Sequence, residues 1–139
     1  EEARRVVSVI GDSTFMHSGV PGIIEMVYNP PATGHVVIIV DNGTTAMTGL
    51  QEHPGTGRRL DRSEAHGVDF EALLRAIGVP EVHVIDPSER PSKFVKMLQT
   101  ALDGNTLTVI IARRPCLLAL RRMEKEEQAQ PCSIGQTQA

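Results

Sequence analysis

Two short apolar runs, Val6-Val7-Ser8-Val9-Ile10 and Val36-Val37-Ile38-Ile39-Val40, constrain this chain more than any other feature. Both are β-branched, too short for a helix and followed by Gly or polar residues, as strands buried in a parallel sheet are. Between them Val20, Ile23, Ile24 and Val27 recur at helical spacing, and Pro30-Pro31 ends the pattern. Two parallel strands joined by a helix form a βαβ unit, with both strand ends on one edge of the sheet. That edge is where open α/β sheets bind ligands. The first run leads into Gly11-Asp12-Ser13 and the second into Asp41-Asn42. Side-chain oxygens of Asp and Asn are hard donors suited to Mg2+, which takes one or two carboxylates and completes its shell with phosphate and water.

The rest of the chain continues the alternation. Residues 17–29 read as the first helix, and 43–67 as a glycine-punctuated loop, long enough to be functional or disordered. Residues 69–78 read as a helix, with Asp69 as N-cap, a stripe of Phe70, Leu73, Leu74 and Ile77, and Gly78 as terminator. A strand over 82–85 and a helix over 88–102 follow, the latter turning Phe94, Val95, Leu98, Ala101 and Leu102 inward. A fourth strand over 107–112 and a helix over 116–128 complete the pattern. The expectation is a three-layer α/β/α fold with a mainly parallel sheet, residues 1–128 forming one domain. Residues 129–139 lack the apolar content to pack and are expected to form a disordered tail.

Composition removes several function classes. The net charge of −3 arises from interleaved acids and bases, not from a basic face. Three Phe, one Tyr and no Trp leave little to stack on bases, so no nucleic-acid partner is expected. No apolar run approaches the roughly 20 residues that cross a bilayer, so no membrane partner is expected. The chain opens on Glu1-Glu2 rather than a secretory signal. Cys116 and Cys132 lack the C-x-x-C spacing of zinc or iron–sulfur sites and read as free thiols of a cytoplasmic protein.

The Asp12/Asn42 arrangement resembles the diphosphate-and-magnesium motif of thiamine diphosphate enzymes. Ser13 stands where that motif has its second Gly, and Asp41 where it has its first Asn. More specifically, GDSTFMHSGVPGIIEMVYN and VDNGTTAMTGLQEHPGTG resemble the alpha-subunit family of indolepyruvate ferredoxin oxidoreductases, in the order in which such stretches recur there. The resemblance covers most of residues 6–115 and implies a partial module of the thiamine diphosphate-binding fold, since that module normally has more strands than are counted here. It implies thiamine diphosphate and Mg2+ as cofactors. Asp12, the Asn42 side chain and the residue 44 carbonyl would be the metal ligands. Gly11, Asp12, Ser13, His17, Ser18, Gly19, Asn42, Thr44, Thr45 and Met47 are the candidate cofactor contacts.

Each candidate also has a plainer role. Asp12 alone would read as a solvated acid capping the next helix. His17, Ser18 and Gly19 open the expected helix, where free N–H groups and the helix dipole favour a phosphate. Gly19 would let the backbone approach it. Ser18 either caps the helix or contacts the ligand, and His17 is a surface residue or a contact. Thr44 and Thr45 bind phosphate or make ordinary turn bonds. Met47 walls the thiazolium or fills a core gap.

The run His53-Pro54-Gly55-Thr56-Gly57 is not a P-loop, because Arg58 and Arg59 stand where the Lys belongs. The resemblance places this loop near the active-site mouth, with Arg58 and Arg59 facing an anionic substrate, a partner or solvent. His35, His66 and His83 share no metal-ligand spacing. No catalytic residue is assigned, because the glutamate that activates the cofactor in this family belongs to another module.

In that family a 2-oxoacid such as an aryl pyruvate is oxidatively decarboxylated to an acyl-CoA with reduction of ferredoxin. The iron–sulfur clusters would lie in parts of the enzyme absent here, and this fragment alone is expected to have no turnover. The implied partners are the remaining modules of the alpha subunit, a beta subunit, ferredoxin and coenzyme A, with a homodimer as the alternative covering of an exposed face. A non-catalytic α/β binding or interaction module is the competing reading. A dinucleotide-binding domain ranks below both, because G-x-G-x-x-G is missing after the first strand.

Overall fold

The computed structural model describes residues 4–129. Four strands, β1 (Val6–Gly11), β2 (His35–Asp41), β3 (Glu81–Ile85) and β4 (Leu107–Arg113), pair in the order β1-β2-β4-β3, every pair parallel. Burial follows position in the sheet. Central β4 is buried from Leu107 to Ala112, whereas Val9 on edge strand β1 is 66% exposed.

The sheet has a core on each face. One is built from Val37, Ile39, Val109 and Ile111 with Phe15, Ile23, Phe70 and Leu74, contributed by the helical run after β1 and by α3 (Phe70–Ile77). The other joins Val36, Ile38, Ile85 and Ile110 to Ala101, with Phe94, Leu98 and Leu102 packed against them from α4 (Pro91–Asp103). This is the expected α/β/α layering. Burying one such large apolar side chain contributes about 1.5–3 kcal/mol.

Local signals set α3. Asp69 accepts hydrogen bonds from the Glu71 and Ala72 N–H groups, and Gly78 ends the helix at φ +98°. Val95 is half exposed on α4 rather than inward, because Phe94 and Leu98 take the sheet-facing positions. A last helix, α5, spans Leu117–Ala129. The expected tail, and Cys132 with it, fall outside the described residues except for Ala129, which ends α5.

The first helix differs from expectation. It begins at Asp12 directly after β1, as α1 (Asp12–Thr14), passes through a π-turn over Phe15–Gly19 and continues as α2 (Val20–Tyr28). The extra residue in the π-turn shifts the face presented to the sheet. Phe15 becomes fully buried, and Ile24 is half exposed instead of joining the stripe. The 43–67 segment is ordered: bridges pair Thr45 with Gln51 and Arg58 with Glu64.

Candidate functional site

Parallel pairing of β1 with β2 sets Gly11 beside Val40, so the residues after each strand meet at one edge. Asp12 lies there, only 2% exposed. Its Oδ1 accepts from the Ser13 N–H at 2.8 Å, and its Oδ2 from the Asn42 N–H at 3.0 Å and the Gly43 N–H at 2.8 Å. Asp12 is therefore neither solvated nor a helix cap. Gly11 occupies the N-cap position, and the Asp12 carboxylate ties the end of β1 to the turn after β2.

Asn42 forms a local turn, its Oδ1 accepting the Thr44 N–H at 3.0 Å. Its own carbonyl accepts the Cys116 N–H. Asp41 points elsewhere: Arg113 Nε donates to its Oδ2 at 2.6 Å, pairing β2 with β4. Of the Asp41-Asn42 pair, only Asn42 joins Asp12.

Thr44 is buried, its hydroxyl donating to the Gln51 carbonyl, and Thr45 Oγ1 donates to Ser13 Oγ at 2.8 Å. The two strand ends are thus joined a second time. Gly49 and Leu50 both adopt left-handed backbone, at φ +118° and +63°. For Leu this costs about 1–2 kcal/mol, and the Thr45–Gln51 bridge holds it in place. Such strain clusters at ligand-binding turns.

Four candidates change role. His17 and Ser18 do not open a helix. His17 Nδ1 bonds the Ser13 carbonyl at 2.7 Å, and Ser18 Oγ donates to the Thr14 carbonyl, both on the exposed side of a continuous helical run. A phosphate drawn to this helix end would meet residues 12–14 rather than 17–19. Gly19 serves packing: a Cβ there would lie 2.8 Å from Ile10 Cδ1 and 3.1 Å from Phe15 Cδ2. Met47 fills no core gap, since it is fully exposed on the turn over Ala46–Thr48.

His53 is the residue that sequence reasoning passed over. It is 5% exposed, and its Nε2 lies 3.4 Å from Asp12 Oδ2. The Gly55 N–H donates to its Nδ1, while the Thr56 N–H and Oγ1 donate to its carbonyl. The HPGTG run thus folds back over the end of β1. Gly55 sits against the Phe70 ring, which packs edge-on to Phe15 with centroids 5.4 Å apart. A cleft of about 220 Å3 opens beside Thr44, flanked by Glu52, Arg58, Arg62 and Arg122. Arg59 donates instead to Ser63 and Glu64 of its own loop.

The donor set suits a hard cation. An ionised carboxylate offers about four lone-pair sites, and among the described residues Oδ1 of Asp12 accepts only the Ser13 N–H. Among the described residues no backbone donor takes up the Thr44 carbonyl, and no cluster of three His, Cys, Asp or Glu forms a self-sufficient metal cage. Few carboxylates with neighbouring carbonyls is the pattern for Mg2+ held jointly with a ligand phosphate.

The site belongs to a parallel α/β domain whose buried Asp joins the end of one strand to the turn after the next. The chain belongs to the thiamine pyrophosphate enzymes, residues 1–112 matching the family's C-terminal TPP binding domain. It is 41% identical over 123 residues to the indolepyruvate oxidoreductase subunit IorA of Archaeoglobus fulgidus, covering 88% of this chain and 19% of that one. The IorA subunit of Methanothermobacter thermautotrophicus is 41% identical over 84% of this chain and 18% of its own, and that of Pyrococcus horikoshii 34% over 91% and 19%. The chain therefore spans about a fifth of the length of the relatives it matches.

Proposed function

We propose that this domain holds thiamine diphosphate through Mg2+ in a 2-oxoacid ferredoxin oxidoreductase that acts on indolepyruvate or a related aryl pyruvate. The observation that supports it most is the buried Asp12 carboxylate, fixed between the ends of β1 and β2 with one oxygen left short of donors. Asp12 Oδ1, Asn42 Oδ1 and the Thr44 carbonyl would hold the cation. Gly11 and Ser13 at the helix start, and Thr45 on the turn after β2, would face the diphosphate, with Met47 toward the thiazolium.

When bound, thiamine diphosphate supplies the carbanion chemistry of decarboxylation. This chain's share is placement. Burial of Asp12 excludes water from the metal ligand, and the Ser13–Thr45 bond keeps the two strand ends at fixed separation. The full reaction would yield an acyl-CoA and reduced ferredoxin. It would draw on the remaining modules of an alpha subunit and a beta subunit, with iron–sulfur clusters in those other parts and the whole in the cytoplasm. A homodimer of this domain would be an alternative assembly. Among the described residues no helix is long and apolar enough to cross a membrane.

Calorimetric titration with thiamine diphosphate, with and without Mg2+, tests the reading. Binding is expected only with Mg2+ and is expected to be lost in Asp12→Ala. A folded chain that binds equally well without Mg2+, or in Asp12→Ala, would support a domain that kept the fold without the metal site.

A further inference from the structure

His53 is the buried titratable group that the cofactor reading leaves without a task. Its side chain is 1% exposed, and Nε2 is a buried polar atom with no satisfied hydrogen bond among the described residues. Leaving such a group unpaired costs about 1–3 kcal/mol, so its placement needs a reason. Nδ1 accepts the Gly55 N–H at 3.2 Å, which leaves Nε2 as the donor nitrogen of the ring. That donor faces Asp12 Oδ2 at 3.4 Å.

The separation is long because Oδ2 already accepts two backbone N–H groups, from Asn42 and Gly43. Two hydrogen-bond donors and, at 3.4 Å, the unsatisfied Nε2 of His53 therefore face Oδ2, against one donor on Oδ1 among the described residues. A cation is repelled by donor hydrogens and takes the oxygen with fewer of them. We propose that His53 is a positioning residue for Asp12: its Nε2–H completes the donor shell of Oδ2 and makes Oδ1 the single oxygen offered to a divalent cation. This inference rests on the Mg2+ reading above and adds to it a monodentate geometry and the residue that imposes it. Outer-shell partners of this kind typically change metal affinity about 10–100-fold. The HPGTG run thereby gains a function distinct from a phosphate loop: Thr56 fixes the His53 backbone, Gly55 orients the imidazole, and the imidazole orients the carboxylate.

Three substitutions in the full chain separate this role from simple packing. His53→Gln keeps an N–H donor near Nε2 and loses the acceptor for Gly55. His53→Asn keeps an acceptor near Nδ1 and cannot reach Asp12. His53→Leu keeps neither. The readout is the Mg2+ concentration that half-saturates binding at fixed thiamine diphosphate. It is expected to rise about 10–100-fold in His53→Asn and His53→Leu and to stay near wild type in His53→Gln. If His53→Leu fails to fold, the Gln and Asn variants decide the matter.

Imidazole 15N NMR of the unliganded chain gives a reading independent of the cofactor. The Nε2–H tautomer is expected, with its proton resonance displaced in Asp12→Asn. A Nδ1–H tautomer overturns the proposal outright. Wild-type Mg2+-dependent binding with an unchanged midpoint in His53→Asn and His53→Leu overturns it while leaving the cofactor reading intact. Absence of Mg2+-dependent binding in the wild type overturns the cofactor reading and this inference with it.

Discussion

At Gly19 and Gly55 the missing Cβ matters more than backbone freedom. A Cβ at Gly19 would press on Ile10 and on Phe15, which is fully buried and cannot yield. Ala is favoured over Gly in a helix by about 1 kcal/mol, whereas overpacking costs about 1–3 kcal/mol. Gly19→Ala is therefore expected to lower stability by about 1 kcal/mol in urea unfolding. A stabilised variant would show that the helix can slide on β1. Gly55 is tighter, since a Cβ there would come within 2.5 Å of Phe70 Cζ and 3.2 Å of His53 Cε1. Phe70 is wedged against Phe15, so the loop must move instead. Gly55→Ala is expected to destabilise by about 2–3 kcal/mol. It is also expected to raise the Mg2+ requirement, because the displaced loop carries His53 away from Asp12. A stability loss with an unchanged Mg2+ midpoint would separate the loop from the metal site.

At the scale of elements, two acids at the ends of elements set boundaries by different means. Asp69 accepts the Glu71 and Ala72 N–H groups at the head of α3, so Asp69→Ala is expected to cost about 1 kcal/mol by denaturant titration. Asp86, just past β3, binds Ser88 and Glu89. The Ser88 hydroxyl first, then the Ser88 N–H, hold its carboxyl below the ordinary value of 3.8. A carboxyl lowered on folding stabilises fully above its unfolded pKa, and that contribution fades as pH falls through the folded value. Removing it by Asp86→Asn is thus expected to flatten the acid limb of the stability–pH curve below about pH 4.

These elements also show what the sequence could convey. The α3 boundaries were legible because cap, stripe and terminator all lie within its own residues. The start of the first helix was not. Gly-Asp-Ser-Thr carries no apolar period, and the π-turn that buries Phe15 breaks the 3.6-residue rhythm on which reading depends. Asp12 and Asn42 were legible because strands deliver them. His53 was not, since it reaches Asp12 through a loop without periodicity, held by Phe70 and Phe15 far away in sequence.

Across the whole molecule, the candidate site joins the least protected strand to the most protected part of the sheet. β1 has one strand partner, and α4 leaves its Val7 and Val9 41% and 66% exposed; β4 has two partners and a buried run. Opening without global unfolding should begin at β1, where the fewest apolar contacts are lost. Asp12 reduces that tendency by bonding the turn after β2, and a cation shared by Asp12, Asn42 and Thr44 would reduce it further. A ligand that binds only the folded chain adds about 2.7 kcal/mol at 100 times its Kd, which for a domain of this size corresponds to a Tm rise of about 8 °C. The rise is expected only when Mg2+ and thiamine diphosphate are both present, and not in Asp12→Ala. Hydrogen exchange should locate it. The β1 amides are expected to slow markedly on loading under conditions where opening is local, whereas β4 amides, which exchange only through global unfolding, should slow by no more than the change in total stability. Equal slowing of β1 and β4 would mean that the edge strand opens only with the whole domain. Slowing of β4 alone would place the ligand away from the end of β1.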